Sequence, residues 1–243
     1  MKNDILYNLE ILLNKSLTQL KEATIEKIIS NCLNETNQGY LSMGINHYLD
    51  DVEAKELNEL KKNLELKKTF QQAIEFKFDE NQLITNFKSE LQKAFAEIKL
   101  NVQTEQKKLK SQVIFIEYHY MPNASISGFG KGNFPILKKP EYLESYPMDE
   151  MFSSIEKIDY SLAWKNLISL NDIVEQYEIE DCIFESEIYQ ALKNAYIFKT
   201  YILLHKAFDE LGTKLLDGIE IIKPLMVYGC EHDCEVINIY VFE

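Results

Sequence analysis

Along the first hundred positions, apolar residues return every three or four places, the spacing that lines one face of a helix. Ile5, Leu9, Leu12 and Leu13 form the first row, followed by Leu17 and Leu20 and then Ile25, Ile28 and Ile29. The segment "NQGYLSMGINHY" interrupts them with Gly39 and Gly44 and reads as a loop or short strand. Helical spacing resumes over Glu53–Lys68, where Leu57, Leu60 and Leu64 share a face ringed by lysines. The clearest helix covers Asp79–Lys99: Ile84, Phe87, Leu91, Phe95 and Ile98 step by three or four. Asp79 or Asn81 can cap its start, since a side-chain oxygen there accepts from an otherwise unpaired first-turn N–H.

After the lysine-rich break "TEQKKLKS" the pattern changes. "QVIFIEYHY" is β-branched and aromatic, with Val113, Phe115, Glu117 and His119 on one side and Ile114, Ile116, Tyr118 and Tyr120 on the other. That predicts a strand with one wholly apolar face. "MPNASISGFGKGNFPILKKPEYLESYP" reads as a long loop rich in Gly and Pro. In the following helical patches and turns, Ser153 and Glu156 stand at capping-box spacing. A long helix near Ser186–Leu211 is nearly apolar all round from Ala195 to Leu204, which predicts burial on every side. "GIEIIKPLMVYG" and "EVINIYVFE" read as two strands joined by a short turn.

These elements predict an α+β fold: a helical N-terminal region, then a mixed or antiparallel sheet with a C-terminal β-hairpin covered by helices. The strand Gln112–Tyr120 and the hairpin are expected at the sheet's centre. The change of pattern divides the chain into residues 1–111, helical, and 112–243, α+β and acidic; both could belong to one domain.

Charge sharpens this division. The net charge is −13, and all 26 basic residues are lysines, so bidentate guanidinium clamps and Arg–guanine contacts are excluded. Within Glu141–Glu187, 13 acidic residues face Lys157 and Lys165 alone, a local net charge of −11. Such a surface repels nucleic acid and anionic lipid and attracts cationic proteins. The acids Glu175, Glu178, Glu180, Asp181, Glu185 and Glu187 are the candidate binding surface. The first residues lack the basic, apolar and small-residue sections of a signal peptide, and no apolar run is long enough to span a bilayer. With four cysteines, too few for a disulfide scaffold, the chain reads as cytoplasmic.

Explicit chemistry is sparse. Gly128, Gly130 and Gly132 alternate around Lys131 but match neither phosphate-loop nor dinucleotide-loop spacing, so close packing is the stronger expectation. His119 shares a strand face with Glu117, and His205 precedes Asp209 by four residues on a helix. No nucleophile-elbow motif is present among residues that include only four histidines, His47, His119, His205 and His232. The segment "CEHDC" offers Cys230, His232 and Cys234 as zinc donors, with Asp233 beside them. In an extended strand, however, residues two apart are separated by about 6.6–6.8 Å, too far to converge on one ion. A hairpin tip without chemistry is the simpler expectation, with no cofactor.

Three functional readings follow. One is a non-enzymatic acidic protein that binds a basic protein partner, with no affinity for nucleic acid or membrane; a bacterial immunity protein against a basic toxin fits that profile. Another is a metal- or thiol-dependent enzyme centred on Cys230–Cys234, with His119 as an additional donor. The last is an intracellular adaptor using the lysine-rich helices Glu53–Lys68 and Asp79–Lys99.

Overall fold

The computed structural model describes residues 1–33, 51–104, 110–119, 122–144 and 150–243. The fold is α+β, with helices and a mixed six-stranded sheet. The helices are α1 (Lys2–Gln19), α2 (residues 25–33), α3 (Asp51–Leu60), α4 (Leu64–Ile74), α5 (Glu80–Thr104), α6 (Ser161–Gln176), α7 (Glu180–Phe184) and α8 (Glu187–Leu211). The strands are β1 (Ser111–Tyr118), β2 (Asn123–Phe129), β3 (Glu150–Ser153), β4 (Ile158–Asp159), β5 (Ile221–Glu231) and β6 (Ile237–Phe242). The segment 37–48, with His47, lies outside the described residues.

The chain groups into two compact units. One comprises Met1–Leu12, Phe78–Ala163 and Ile197–Glu243 and contains the whole sheet. The other comprises Leu13–Lys77 and Trp164–Tyr196 and is helical. Each unit contains residues from both sides of the sequence break at 111–112.

In the sheet unit the strand order is β3-β2-β1-β5-β6, with β4 also paired to β2. β1 is central: it pairs antiparallel with β2 and parallel with β5. Ile114, Phe115 and Ile116 are fully buried, so the strand is apolar on both faces, as expected where a sheet is covered on both sides. One face meets Ile197–Leu211 of α8. There Tyr201 packs against Gly229 and Ile239, and Phe208 stacks on Tyr240 at 5.5 Å between ring centroids. On the other face Phe115 stacks on Tyr228 at 5.7 Å, and Phe134 covers Tyr228. The Asn238 Oδ1 accepts from the Leu137 N–H at 2.6 Å and anchors the covering loop.

Several expectations change here. Part of the segment read as a loop after β1 is strand β2; its small and polar residues hide the alternation, which places Ala124 and Ile126 inward. Gly128 is required because the Phe152 ring lies where its Cβ would be. The terminal hairpin is not central as a whole: β5 is internal, but β6 is last in the strand order. All six residues of β6 are nevertheless buried, and a Glu141–Val236 bridge lies just before the strand. Ser153 ends β3 and forms no capping box; instead the Glu97 carboxylate of α5 accepts from Ser154 Oγ, Glu156 N–H and Ile155 N–H. α5 is capped by Asp79, whose Oδ1 accepts from the Gln82 N–H at 3.1 Å, and its buried stripe starts at Leu83, not Ile84.

In the helical unit, Glu53–Lys68 is not one helix. It breaks between α3 and α4 because Asn63 Oδ1 accepts from the N–H groups of Glu65 and Leu66, starting a new helix. Leu66, Phe70 and Ala73 of α4 are buried, and Tyr196 donates to the Ala73 carbonyl at 2.9 Å. Trp164, Leu167, Leu170, Ile173 and Val174 form the buried stripe of α6. Among the described residues no helix is long and apolar enough to cross a membrane.

Candidate functional site

The parallel pairing of β1 and β5 brings their C-terminal ends side by side. Glu117 lies opposite Cys230 and Tyr118 opposite Glu231. Beyond Glu231 the chain turns sharply, with Asp233 at φ +60°, a left-handed conformation that Asp tolerates better than most residues. The His232 N–H donates to the Tyr118 carbonyl at 2.8 Å, so the turn is tied back to β1. This contact carries the imidazole to Glu117, and His232 Nδ1 hydrogen-bonds Glu117 Oε1. The rings of His119 and His232 lie 4.3 Å apart, tilted by 37°. Donor atoms of Glu117, His119 and His232 all fall within 4.8 Å of one another.

Glu117 is half-buried, His119 and His232 are exposed, and His232 Nε2 faces Asp233 Oδ2 at 3.4 Å. The hydrogen bond to Glu117 raises the His232 pKa above that of a free imidazole, and the charges of Glu117 and Asp233 add to the effect. A polar cluster of this make-up can hold a proton or a cation between acceptors.

The alternative zinc set of Cys230, His232 and Cys234, less favoured in the sequence than a hairpin tip without chemistry, does not appear as a converging donor group. Among the described residues the three-donor group is Glu117, His119 and His232. The reason is that β5 continues through Cys230 to Glu231, leaving Cys230 in the sheet while His232 and Cys234 lie beyond it. Cys230 is 5% exposed, and burial pushes its thiol pKa up, with the nearby Glu117 and Cys234 acting in the same direction. Such a thiol packs as a small apolar group and is a poor nucleophile. Cys234 is exposed. The sequence paired Glu117 with His119 by their spacing, but nothing in it placed His232 beside them.

His205 is a buried structural residue. Its Nδ1 lies 2.7 Å from the Ile239 carbonyl, and burial lowers its pKa, favouring the neutral ring. Asp209, expected as its partner, accepts instead from Lys2 Nζ at 3.1 Å and from Tyr240 Oη at 2.9 Å. The glycine loop is explained by packing: beside Gly128 under Phe152, Gly130 meets Met151 and Gly132 meets Phe134.

The six candidate acids lie in the helical unit, along the end of α6, α7 and the start of α8. Glu175, Glu178, Asp181, Glu185 and Glu187 are exposed and Glu180 is half-buried, while Ile179, Cys182 and Ile183 between them point inward. Among the described residues none of the six forms an ion pair. Some acids elsewhere are paired, Glu26 with Lys67, Glu210 with Lys88, and Glu80 with both Lys199 and Lys206, whereas others such as Glu10, Glu22 and Asp217 are not.

No family model, no curated protein and no solved structure matches this chain.

Proposed function

We propose that the protein binds a cationic protein partner through the acidic shoulder formed by Glu175, Glu178, Glu180, Asp181, Glu185 and Glu187. The observation that supports this reading is the absence of lysine partners for these six among the described residues, although 26 lysines are present in the chain. Unpaired like charges on adjoining helices repel one another, and an oppositely charged partner relieves that repulsion. The field they create also accelerates encounter with a basic surface, strongly at low salt. The most specific form of the proposal is an immunity role: the protein occupies and neutralises a basic toxin such as a nuclease. The adaptor reading has less support, because Lys67 and Lys88 of the lysine-rich helices are engaged within the protein.

The test is capture from an extract of the source organism, at about 50 and 150 mM salt, which spans a useful range of screening. The wild type is compared with a variant carrying Gln or Asn at all six positions. Recovery of a basic protein by the wild type, weakened by salt and lost in the variant, supports the proposal. Recovery of no basic protein, or equal recovery by the variant, sinks it. For the immunity form, co-expression must protect cells from the captured partner.

A further inference from the structure

We propose that Glu117, His119 and His232 form a binding site for a first-row divalent transition-metal ion, with zinc the best match to two imidazoles and a carboxylate. This site lies in the sheet unit and stands independently of partner capture by the acidic shoulder.

Three observations carry the inference. First, the donors converge: their ligand atoms lie within 4.8 Å of one another, and donors about 2.0–2.2 Å from one tetrahedral ion stand about 3.3–3.6 Å apart, so the wider pairs draw in while the His232–Glu117 contact opens to admit the ion. Second, the group is held by the fold and not by flexible side chains alone. Glu117 belongs to the central strand, and the His232 backbone is fixed to Tyr118 by a 2.8 Å hydrogen bond. Third, His232 has a carboxylate at each ring nitrogen, Glu117 at Nδ1 and Asp233 at Nε2. With Nδ1–H the Glu117 contact is an ordinary hydrogen bond; with Nε2–H pointing to Asp233, the Nδ1 lone pair and the Glu117 carboxylate are both turned to one cation. A proton would satisfy that pair alone. The third donor, His119, has no role in a two-membered proton bridge but completes a metal's protein ligand set. Asp233 then orients the ligating imidazole from behind, the usual second partner of a metal-bound histidine.

Three protein ligands leave at least one coordination position to solvent, the open arrangement that permits a bound water or a substrate oxygen. The carboxylates of Glu231 and Asp233 flank the turn and favour cation accumulation there.

The experiment uses the full-length chain, untagged and stripped with chelator, titrated with zinc chloride by calorimetry and with cobalt chloride by absorption. The expected result is one equivalent of zinc bound with micromolar or tighter affinity, weakened at least ~10-fold in each of Glu117→Gln, His119→Ala and His232→Ala. Cys234→Ser should bind as the wild type does. Far-ultraviolet circular dichroism checks that the variants are folded. The cobalt form of the wild type gives a second readout that needs no variant: a nitrogen- and oxygen-ligated ion shows no thiolate-to-cobalt charge-transfer band. Absence of stoichiometric binding by the wild type at about 100 µM protein overturns the proposal. So does unchanged affinity in the folded histidine variants, loss of binding in Cys234→Ser, or a thiolate band in the cobalt spectrum.

Discussion

Alanine at Gly229 tests a close approach between the sheet and helix α8. A Cβ there would stand 2.5 Å from Tyr201 Cζ and 2.6 Å from Ile239 Cδ1, whereas ordinary contact begins near 3.4 Å. Each neighbour would have to withdraw by about 0.8–0.9 Å. Neither has room to do so freely: Tyr201 is 2% exposed and Ile239 is fully buried. Overpacking of this kind costs about 1–3 kcal/mol, and the reduced freedom of the unfolded chain returns about 0.4–1 kcal/mol. The expected net loss is therefore about 1–2 kcal/mol, or roughly 2–8 °C in melting temperature for a chain of this size. Urea unfolding followed by circular dichroism reads the loss directly. Adding Ile239→Val removes Cδ1 and should make the double variant less destabilised than the sum of the singles by at least ~0.5 kcal/mol. A single variant as stable as the wild type, or strict additivity in the double, would refute the packing argument.

Two further outcomes follow from charge and capping. Glu80 lies between Lys199 at 2.5 Å and Lys206 at 2.9 Å, whose hydrogen bonds hold its pKa down to about 2. Its contribution is complete above the unfolded value of 4.5 and is lost as pH falls from there toward 2. Because Glu80 is 41% exposed, screening keeps the effect of Glu80→Gln to about 1 kcal/mol or less. Melts across pH should show the gap from wild type at neutral pH and its closure near pH 2; a gap that persists there would contradict the assignment. Asn63→Ala removes the acceptor for two α4 N–H groups and the bond from Nδ2 to Tyr177 Oη, for about 1 kcal/mol or more. Urea unfolding read from the fluorescence of Trp164, which belongs to the same compact unit, measures it; Asn63→Asp should keep most of the capping, and equal losses in both variants would argue against it.

What could be read in the sequence was local. β1 was legible because β-branched and aromatic residues crowd into "VIFIEY", and α5 because its apolar stripe has the helical period and Asp79 precedes it. β2 was not, because "NASISGF" is small and polar and its burial comes from Phe152 over Gly128, a partner distant in sequence. The acidic shoulder was legible as a run of acids with few lysines; that Ile179, Cys182 and Ile183 between them turn inward came from the structure. Two of the three residues of the strand-end cluster were visible as Glu117 and His119 two positions apart. The third, His232, depended on β5 lying parallel to β1, a long-range pairing that no local pattern encodes. The same gap explains why "CEHDC" suggested a cysteine-based site.

That pairing also determines when the fold can form. Val113 meets Met226 across the centre of the sheet, with the whole of α6, α7 and α8 between them in sequence. β1 and β2 can make a hairpin early, but the other edge of β1 stays open until Ile221–Glu231 has been synthesised. During translation an exposed edge flanked by Ile114, Phe115 and Ile116 would be a template for pairing with other chains. Folding is accordingly expected to be slow for the protein's helix content, since a contact of such high order must close before the core is complete.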